Sequence, residues 1–370
     1  DMIDSIDRIA TARPPKSARL YMTTSGSTGV PVGFYLHKGV SRPKERAFLE
    51  VQWRRAGYFD DARVVMIRAQ VTSAVSSGSI AFYDAIRGWL LLSSYQLNSE
   101  RFAEYLNRIR RFRPHVLHAY PGIALRLAEL MLQTGEQWPV QLKCVLAGSE
   151  RLTGSQQMLL EETFGCRVFS WYGHSERVVL AAQGVTSRSL YFWPAYGLVE
   201  FGPPDSQGLR EVIGTSFHNL VMPLIRYRTG DYVRLHQDEL DGQREFNWPA
   251  VTFIEGRGSE FLITATGRYI PVTPLMVHSD AHDDIYAIQL VQRKIGHLEF
   301  CYVPTLRFET ARLARIEAIL QGKVGDDVTI SFREVADVER TSHGKGKWFV
   351  STLESRPVVS VDESGDGETS

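Results

Sequence analysis

Cysteine is scarce. The 370-residue chain holds three, Cys144, Cys166 and Cys301, far apart and with no CxxC pair. That argues against a disulfide scaffold and a cysteine-built zinc site, and it fits a reducing compartment. Net charge is lacking too, because 42 Lys and Arg offset 42 Asp and Glu. Such a balance speaks against a dedicated nucleic-acid or membrane-surface binder. No apolar run approaches the roughly 18 residues of a membrane span; the longest candidate, around Trp89 to Leu92, is a handful of residues. The opening DMIDSIDRIA is acidic and unlike a secretory leader. What is present is ordinary for a folded chain: 44% hydrophobic and 23% charged residues. The length implies two or three structural units. A cytoplasmic globular enzyme is the expectation.

The first half alternates. Residues 62–69, 115–119, 142–147 and 167–171 read as buried strands. Residues 99–113, 123–134 and 153–164 read as helices, the first with Phe102, Tyr105, Leu106 and Ile109 on one face. Ser99 is the expected N-cap of that helix, and Pro114 and Gly135 stop the first two. Strands separated by helices of this length imply βαβ units and a mostly parallel sheet. After Ser187 the chain turns β-rich, with short segments at 189–201, 210–216, 225–235 and 245–254, as in an antiparallel or barrel-like subdomain. Past Gly256 comes an α+β texture, with strands at 285–293, 298–303 and 328–334 around a helix at 311–320. The predicted fold is α/β: a large N-terminal domain of parallel α/β layers plus a β-rich subdomain over 1–258, and a small mobile α+β domain over 259–353. Residues 354–370 are polar and acidic and read as a disordered tail.

One loop has the composition of a phosphate cradle. Thr23 to Pro31 packs five hydroxyl residues and two glycines into nine positions. Glycines let backbone N–H groups turn toward a ligand, and hydroxyls donate further bonds. No Lys-Ser/Thr follows the second glycine, so this is not a Walker A loop. On composition alone, a simple Ser/Thr/Gly turn is an equal alternative.

Later segments add to it in a fixed order. They are His118-Ala119-Tyr120-Pro121, Gly148-Ser149-Glu150, Tyr172-Gly173-His174-Ser175-Glu176, Arg226-Tyr227-Arg228-Thr229-Gly230-Asp231, Gly256-Arg257 and Gly344-Lys345. Together they resemble the adenylate-forming superfamily of acyl-CoA synthetases and adenylation domains, in its phenylacetate–CoA ligase and CapK-like branch. The resemblance runs from Thr23 to about Val350. It departs from the family in three respects. Members carry several tens of residues more ahead of the loop, and those help to wall the pocket. The loop ends in Pro31-Val32 where many members have Lys. Residues 181–196 hold no Cys or His, so no zinc is expected there.

The resemblance implies adenylation of a carboxylic acid, aryl or arylacetic, by ATP with Mg²⁺, then transfer to CoA. It implies that Thr24, Ser25, Gly26, Ser27, Thr28 and Gly29 hold the phosphates and that Glu176 binds Mg²⁺. Asp231 would accept from the ribose hydroxyls, with Arg257 at the ribose or phosphate. Gly148, Ser149, Glu150, Tyr172 and Gly173 would form the adenine slot. Lys345, on a mobile loop, would bridge the attacking carboxylate and the α-phosphate, with Lys347 as a solvated neighbour. The C-terminal domain would rotate about Ser259 or Glu260. A carrier-protein thiol, an amine or a hydroxyl is the alternative acceptor, because CapK-like proteins sit in polysaccharide or cofactor pathways. A catalytically idle nucleotide-binding protein is the alternative from another class. Expected partners are a small carboxylic acid and, under the alternative, a carrier protein; nucleic acid and membrane are not expected, and a homodimer is left open. Arg108, Arg110, Arg111 and Arg113 read as a solvated helix end, Cys144 and Cys166 as core thiols, and Lys323 as a surface residue.

Overall fold

The computed structural model describes residues 9–11, 14–23, 33–68, 80–205, 208–255, 261–272, 275, 285–304, 308–339 and 347–353. β1 (Arg19–Thr23) and β2 (Gly33–His37) form an antiparallel hairpin. Helix α1 (Ser41–Arg54), β3 (Val64–Ile67), β4 (Ala81–Asp84) and β5 (Trp89–Leu92) follow. Then come α2 (Ser99–Phe112), β6 (Val116–Ala119), α3 (Pro121–Thr134), β7 (Cys144–Gly148), α4 (Gly154–Phe164) and β8 (Arg167–Gly173). Strands β5, β3, β6, β7 and β8 lie side by side and parallel, with β4 antiparallel at the edge.

Both faces of this parallel part are covered, which is why its strands read as near-continuous apolar runs. Val65, Ile67, Leu117, Ala119, Val145 and Ala147 face helices α2 to α4. Val64, Val116, Cys144 and Leu146 face the other way, toward Trp53 of α1 and Trp171. The N-cap of α2 is Asn98, one residue before the expected Ser99: the Asn98 side chain accepts the Arg101 N–H at 2.9 Å. Thr153 and Gln156 make a reciprocal capping box at α4. Burial pushes the thiols of Cys144 and Cys166 up to about 12, so both are inert at neutral pH.

The β-rich stretch consists of β9 (Leu180–Gln183), β10 (Leu190–Phe192), β11 (Gly197–Pro204), β12 (Arg210–Ser216), β13 (Tyr227–Leu235) and β14 (Ala250–Glu255). These strands are antiparallel, as expected, but they extend the parallel sheet into one twelve-stranded ladder. β13 is four strand spacings from β8 in that ladder, roughly 19 Å if the sheet were flat. Tyr172 of β8 nonetheless hydrogen-bonds Asp231 of β13. The ladder therefore coils back on itself around Ala181, Phe192, Val212, Val233 and Val251, and the β1–β2 hairpin inserts Phe34 and Leu36 there.

A separate small unit carries β15 (Phe261–Ile263) paired with β16 (Tyr269–Pro271). Its four-stranded sheet has β17 (Ile285–Lys294) and β18 (His297–Pro304) at the centre. β19 (Thr329–Glu334) and β20 (Phe349–Ser351) flank them, each parallel to its neighbour. Helix α5 (Ala311–Val324) packs Ile316, Leu320 and Val324 on this sheet. Arg268 Nη1 donates to the Tyr95 carbonyl at 2.7 Å, and Tyr95 joins the small unit's apolar cluster. Among the described residues no helix is long and apolar enough to cross a membrane.

Candidate active site

The carboxyl ends of parallel strands leave a crevice where ligands are commonly held. Here Arg68 follows β3, Tyr120 follows β6, Ser149 and Glu150 follow β7, and His174 follows β8. All five line one cavity of about 1140 Å³. Ser149 sits at φ 77°, turned so that its Oγ accepts from Arg68 Nη2 at 2.7 Å. Glu150 is buried, and its Oε2 accepts the Gly122 N–H at 2.9 Å, at the start of α3. A carboxylate there offsets the positive end of the helix. Gly148 must be glycine, because a Cβ would stand 2.4 Å from the Trp171 ring.

Two tyrosine–carboxylate pairs span the coil of the sheet. The Tyr172 hydroxyl donates to Asp231 Oδ2 at 2.7 Å, and the Tyr227 hydroxyl donates to Glu176 Oε1 at 2.7 Å. Burial, and then the adjacent carboxylate, push both phenols far up, so each is a fixed donor. His174 lies between them, its ring 5.9 Å from Tyr172 and 6.5 Å from Tyr227. Its Nε2 accepts the Val178 N–H at 3.3 Å. Asp231 is placed by a tight turn: Gly230 takes φ 69°, and the Asp231 N–H donates to Thr229 Oγ1 at 3.1 Å. Next to Glu176, Arg177 pairs with Glu45 of α1 at 2.8 Å. Burial raises the Glu45 carboxyl, and Arg177 opposes that rise.

Another part of the cavity lining is aromatic and basic. His118 of β6 is 4% exposed, with the rings of Trp53, Trp171 and Trp89 at 5.2, 5.7 and 6.4 Å. Arg46 lies 4.8 Å over both Trp53 and Trp89. Arg68 Nη1 is 3.1 Å from His118 Nε2, and its guanidinium lies 4.2 Å over the Tyr120 ring. Burial, followed by the charges of Arg68 and Arg46, pushes His118 well below the usual histidine range, so the imidazole is neutral. Lys323, expected on the surface, instead lines the cavity from the last turn of α5. Burial lowers its ammonium to about 8.

The structure thus brings Ser149, Glu150, Tyr172, Gly173, Glu176 and Asp231 to one cavity, with Gly148 just behind Ser149 at the end of β7 and paired with Trp171. Thr24, Ser25, Gly26, Ser27, Thr28, Gly29, Arg257, Ser259, Glu260 and Lys345 lie outside the described residues. Lys347 is described: its Nζ pairs with Glu339 at 3.5 Å, and its N–H donates to the Glu339 carbonyl. Arg68 was not singled out by sequence; His118 and Tyr227 stood in motifs without an assigned role. A charged residue one position beyond a buried parallel strand is the signal that marks Arg68.

Protein CapK of Staphylococcus aureus is 22% identical over 357 residues, covering 95% of this chain and 78% of that protein. At that coverage the alignment spans the segments that line the cavity. The chain is thus similar to members of the adenylate-forming superfamily. Its likeness is to the CapK-like and phenylacetate–CoA ligase-like branch. A phenylacetate-coenzyme A ligase of Pseudomonas putida is 28% identical over 138 residues, 34% of this chain and 31% of that protein. No family model matches the chain. A crystal structure of a 2-hydroxyisobutyryl-CoA ligase overlays 92% of this chain and 75% of its own, with a TM-score of 0.49 and 16% identity.

Proposed function

We propose that the protein activates a carboxylic acid with ATP and passes the acyl group to the thiol of CoA. The observation that carries this reading is the pair of tyrosine-held carboxylates, Asp231 and Glu176, on one cavity with the strand-end motif Gly148-Ser149-Glu150. In the first step a carboxylate oxygen of the acid attacks the α-phosphorus, and the bond to the pyrophosphate oxygen breaks. In the second, the thiol sulfur attacks the acyl carbon, loses its proton, and AMP departs.

Asp231 accepts the ribose hydroxyls, an arrangement a carboxylate suits through its several lone pairs. Tyr172 and the Gly148–Glu150 turn flank the base. Thr24 to Gly29 cradle the phosphates with backbone N–H and hydroxyl donors, and Arg257 reaches the ribose or phosphate. Glu176 fits a hard cation: it is a buried carboxylate on the cavity wall with one oxygen fixed by Tyr227. Mg²⁺ held there would neutralise charge on the phosphate oxygens. Lys345 places an ammonium between two anions that otherwise repel, which favours the charge distribution of the transition state. The indoles of Trp53, Trp89 and Trp171 support an aromatic acid, because offset and edge-on ring contacts hold an aryl group in a fixed orientation.

Product analysis tests this reading. Incubation with MgATP and a panel of acids, with and without CoA, is expected to yield AMP in an acid-dependent manner and acyl-CoA only when CoA is present. ADP as the nucleotide product would contradict it.

A further inference from the structure

We infer that the acid taken by this site carries a second anionic oxygen group, held by Arg68 and His118 on the cavity wall. The inference rests on the proposed acid activation and names its substrate class. Position comes first. Arg68 follows β3 and His118 lies on β6, adjacent strands in register. Tyr172, partner of Asp231, lies on β8, three strand spacings from β3, or about 14 Å along the sheet. A carboxylate attacking the α-phosphate stands near the ribose held by Asp231, and Arg68 and His118 line the same cavity within reach of the rest of the acid.

Polarity comes second. Arg68 and His118 both hold donors to spare there. Arg68 gives one N–H to His118 and one to Ser149, and no carboxylate pairs with it among the described residues. Its Nε is buried and makes no hydrogen bond among the described residues. His118 accepts at Nε2, which puts its proton on Nδ1, and that atom is likewise buried without a partner. Buried donor atoms without an acceptor are costly, and a ligand oxygen would supply one. Of the other cations lining the cavity, Arg46 pairs with Glu50, Arg87 with Asp84, Arg177 with Glu45 and Arg188 with Glu161, while Arg151 lies over the Phe253 ring.

Shape comes third. Trp53, Trp89 and Trp171 wall the space around His118. An aromatic ring carrying the reacting carboxylate at one end and an anionic oxygen group at the other meets all three conditions. A planar guanidinium binds a carboxylate through two parallel bonds, so a second carboxylate is the strongest match.

The test uses the full chain and three acids: phenylacetate, para-hydroxyphenylacetate and para-carboxyphenylacetate. Two readouts are taken: acid-dependent pyrophosphate–ATP exchange, and quenching of tryptophan fluorescence as a measure of binding. The expected kcat/KM for the carboxy acid exceeds that for phenylacetate by at least about tenfold, the worth of one charged hydrogen bond. In Arg68→Met this ratio is expected to collapse toward one, with the change falling on KM for the acid and not on KM for ATP. Equal use of the three acids by the wild type would overturn the inference without any variant. So would a loss in Arg68→Met shared equally by all acids, or a matching rise in KM for ATP, since either places Arg68 elsewhere. If the carboxy acid binds with the expected preference yet no acid supports exchange, the inference stands and the activation reading fails. Exchange without preference sinks the inference alone.

Discussion

The hydroxyl of Tyr172 and the carboxylate of Asp231 meet at 2.7 Å, although four strand spacings separate their strands in the ladder. The contact closes the coil of the sheet and fixes one Asp231 oxygen at the cavity wall. If Asp231 holds the ribose, Asp231→Ala should raise KM for ATP about 10- to 150-fold, equivalent to about 1.5–3 kcal/mol for a charged hydrogen bond. Tyr172→Phe should raise it less, because the carboxylate remains. Initial exchange rates with ATP varied provide the check. An effect confined to KM for the acid would contradict the assignment.

Glu176 is held the same way by Tyr227. Glu176→Gln should lower the adenylation rate about 10²- to 10³-fold, a common result of losing one positioned catalytic charge. The melting temperature should change little, since the residue faces a cavity. Turnover near that of the wild type would remove Glu176 from the site.

Lys345 and Lys347 can be told apart by their half-reactions. Lys347 is anchored to Glu339 by an ion pair and a backbone hydrogen bond, which suits a structural role. Lys345→Ala should suppress acyl-AMP formation at least ~10²-fold and spare thioester formation from supplied acyl-AMP. Lys347→Ala should spare both. Loss of adenylation in Lys347→Ala alone would reverse the assignment.

Lys323 gives a pH dependence of stability. Burial lowers it from the ordinary 10.5 to about 8. Between these values the unfolded chain holds a proton that the folded chain has released, so stability rises with pH across that window. Below it both states are protonated and the burial penalty is complete. Lys323→Met should therefore be more stable than the wild type near pH 7, by on the order of 1–3 kcal/mol. That gap should narrow as pH rises from 8 toward 10. Denaturant titrations at several pH values measure it; a gap independent of pH would place the ammonium in water.

Much of the fold was legible because the strong patterns are local. The apolar runs that became β3, β6, β7 and β8 bury both faces, and α2 shows its stripe of Phe102, Tyr105, Leu106 and Ile109. Caps are finer features: Asn98 and Ser99 are both good cap residues, and the bond to the Arg101 N–H chose the first. The continuity of the twelve-stranded ladder was not legible, because no local pattern tells a separate antiparallel sheet from one that continues a parallel sheet. The same holds at the site. Glu176, Asp231 and Tyr227 all stand in motifs, but nothing local shows that Tyr227 bonds Glu176 until the coil brings the two together. Arg68 was absorbed into the run 62–69, and only the end of β3 at Ile67 shows that it projects beyond the strand. Lys323 reads as a polar residue at a helix end, and its burial depends on how the small unit meets the large one.

The most direct measurement is acid-dependent pyrophosphate–ATP exchange by the purified wild-type chain with Mg²⁺ across a panel of aromatic acids. The account predicts label entering ATP only when a suitable acid is present, with no need for CoA. No exchange with any acid, from a folded protein that binds ATP, would contradict acid activation and leave a nucleotide-binding protein without this chemistry.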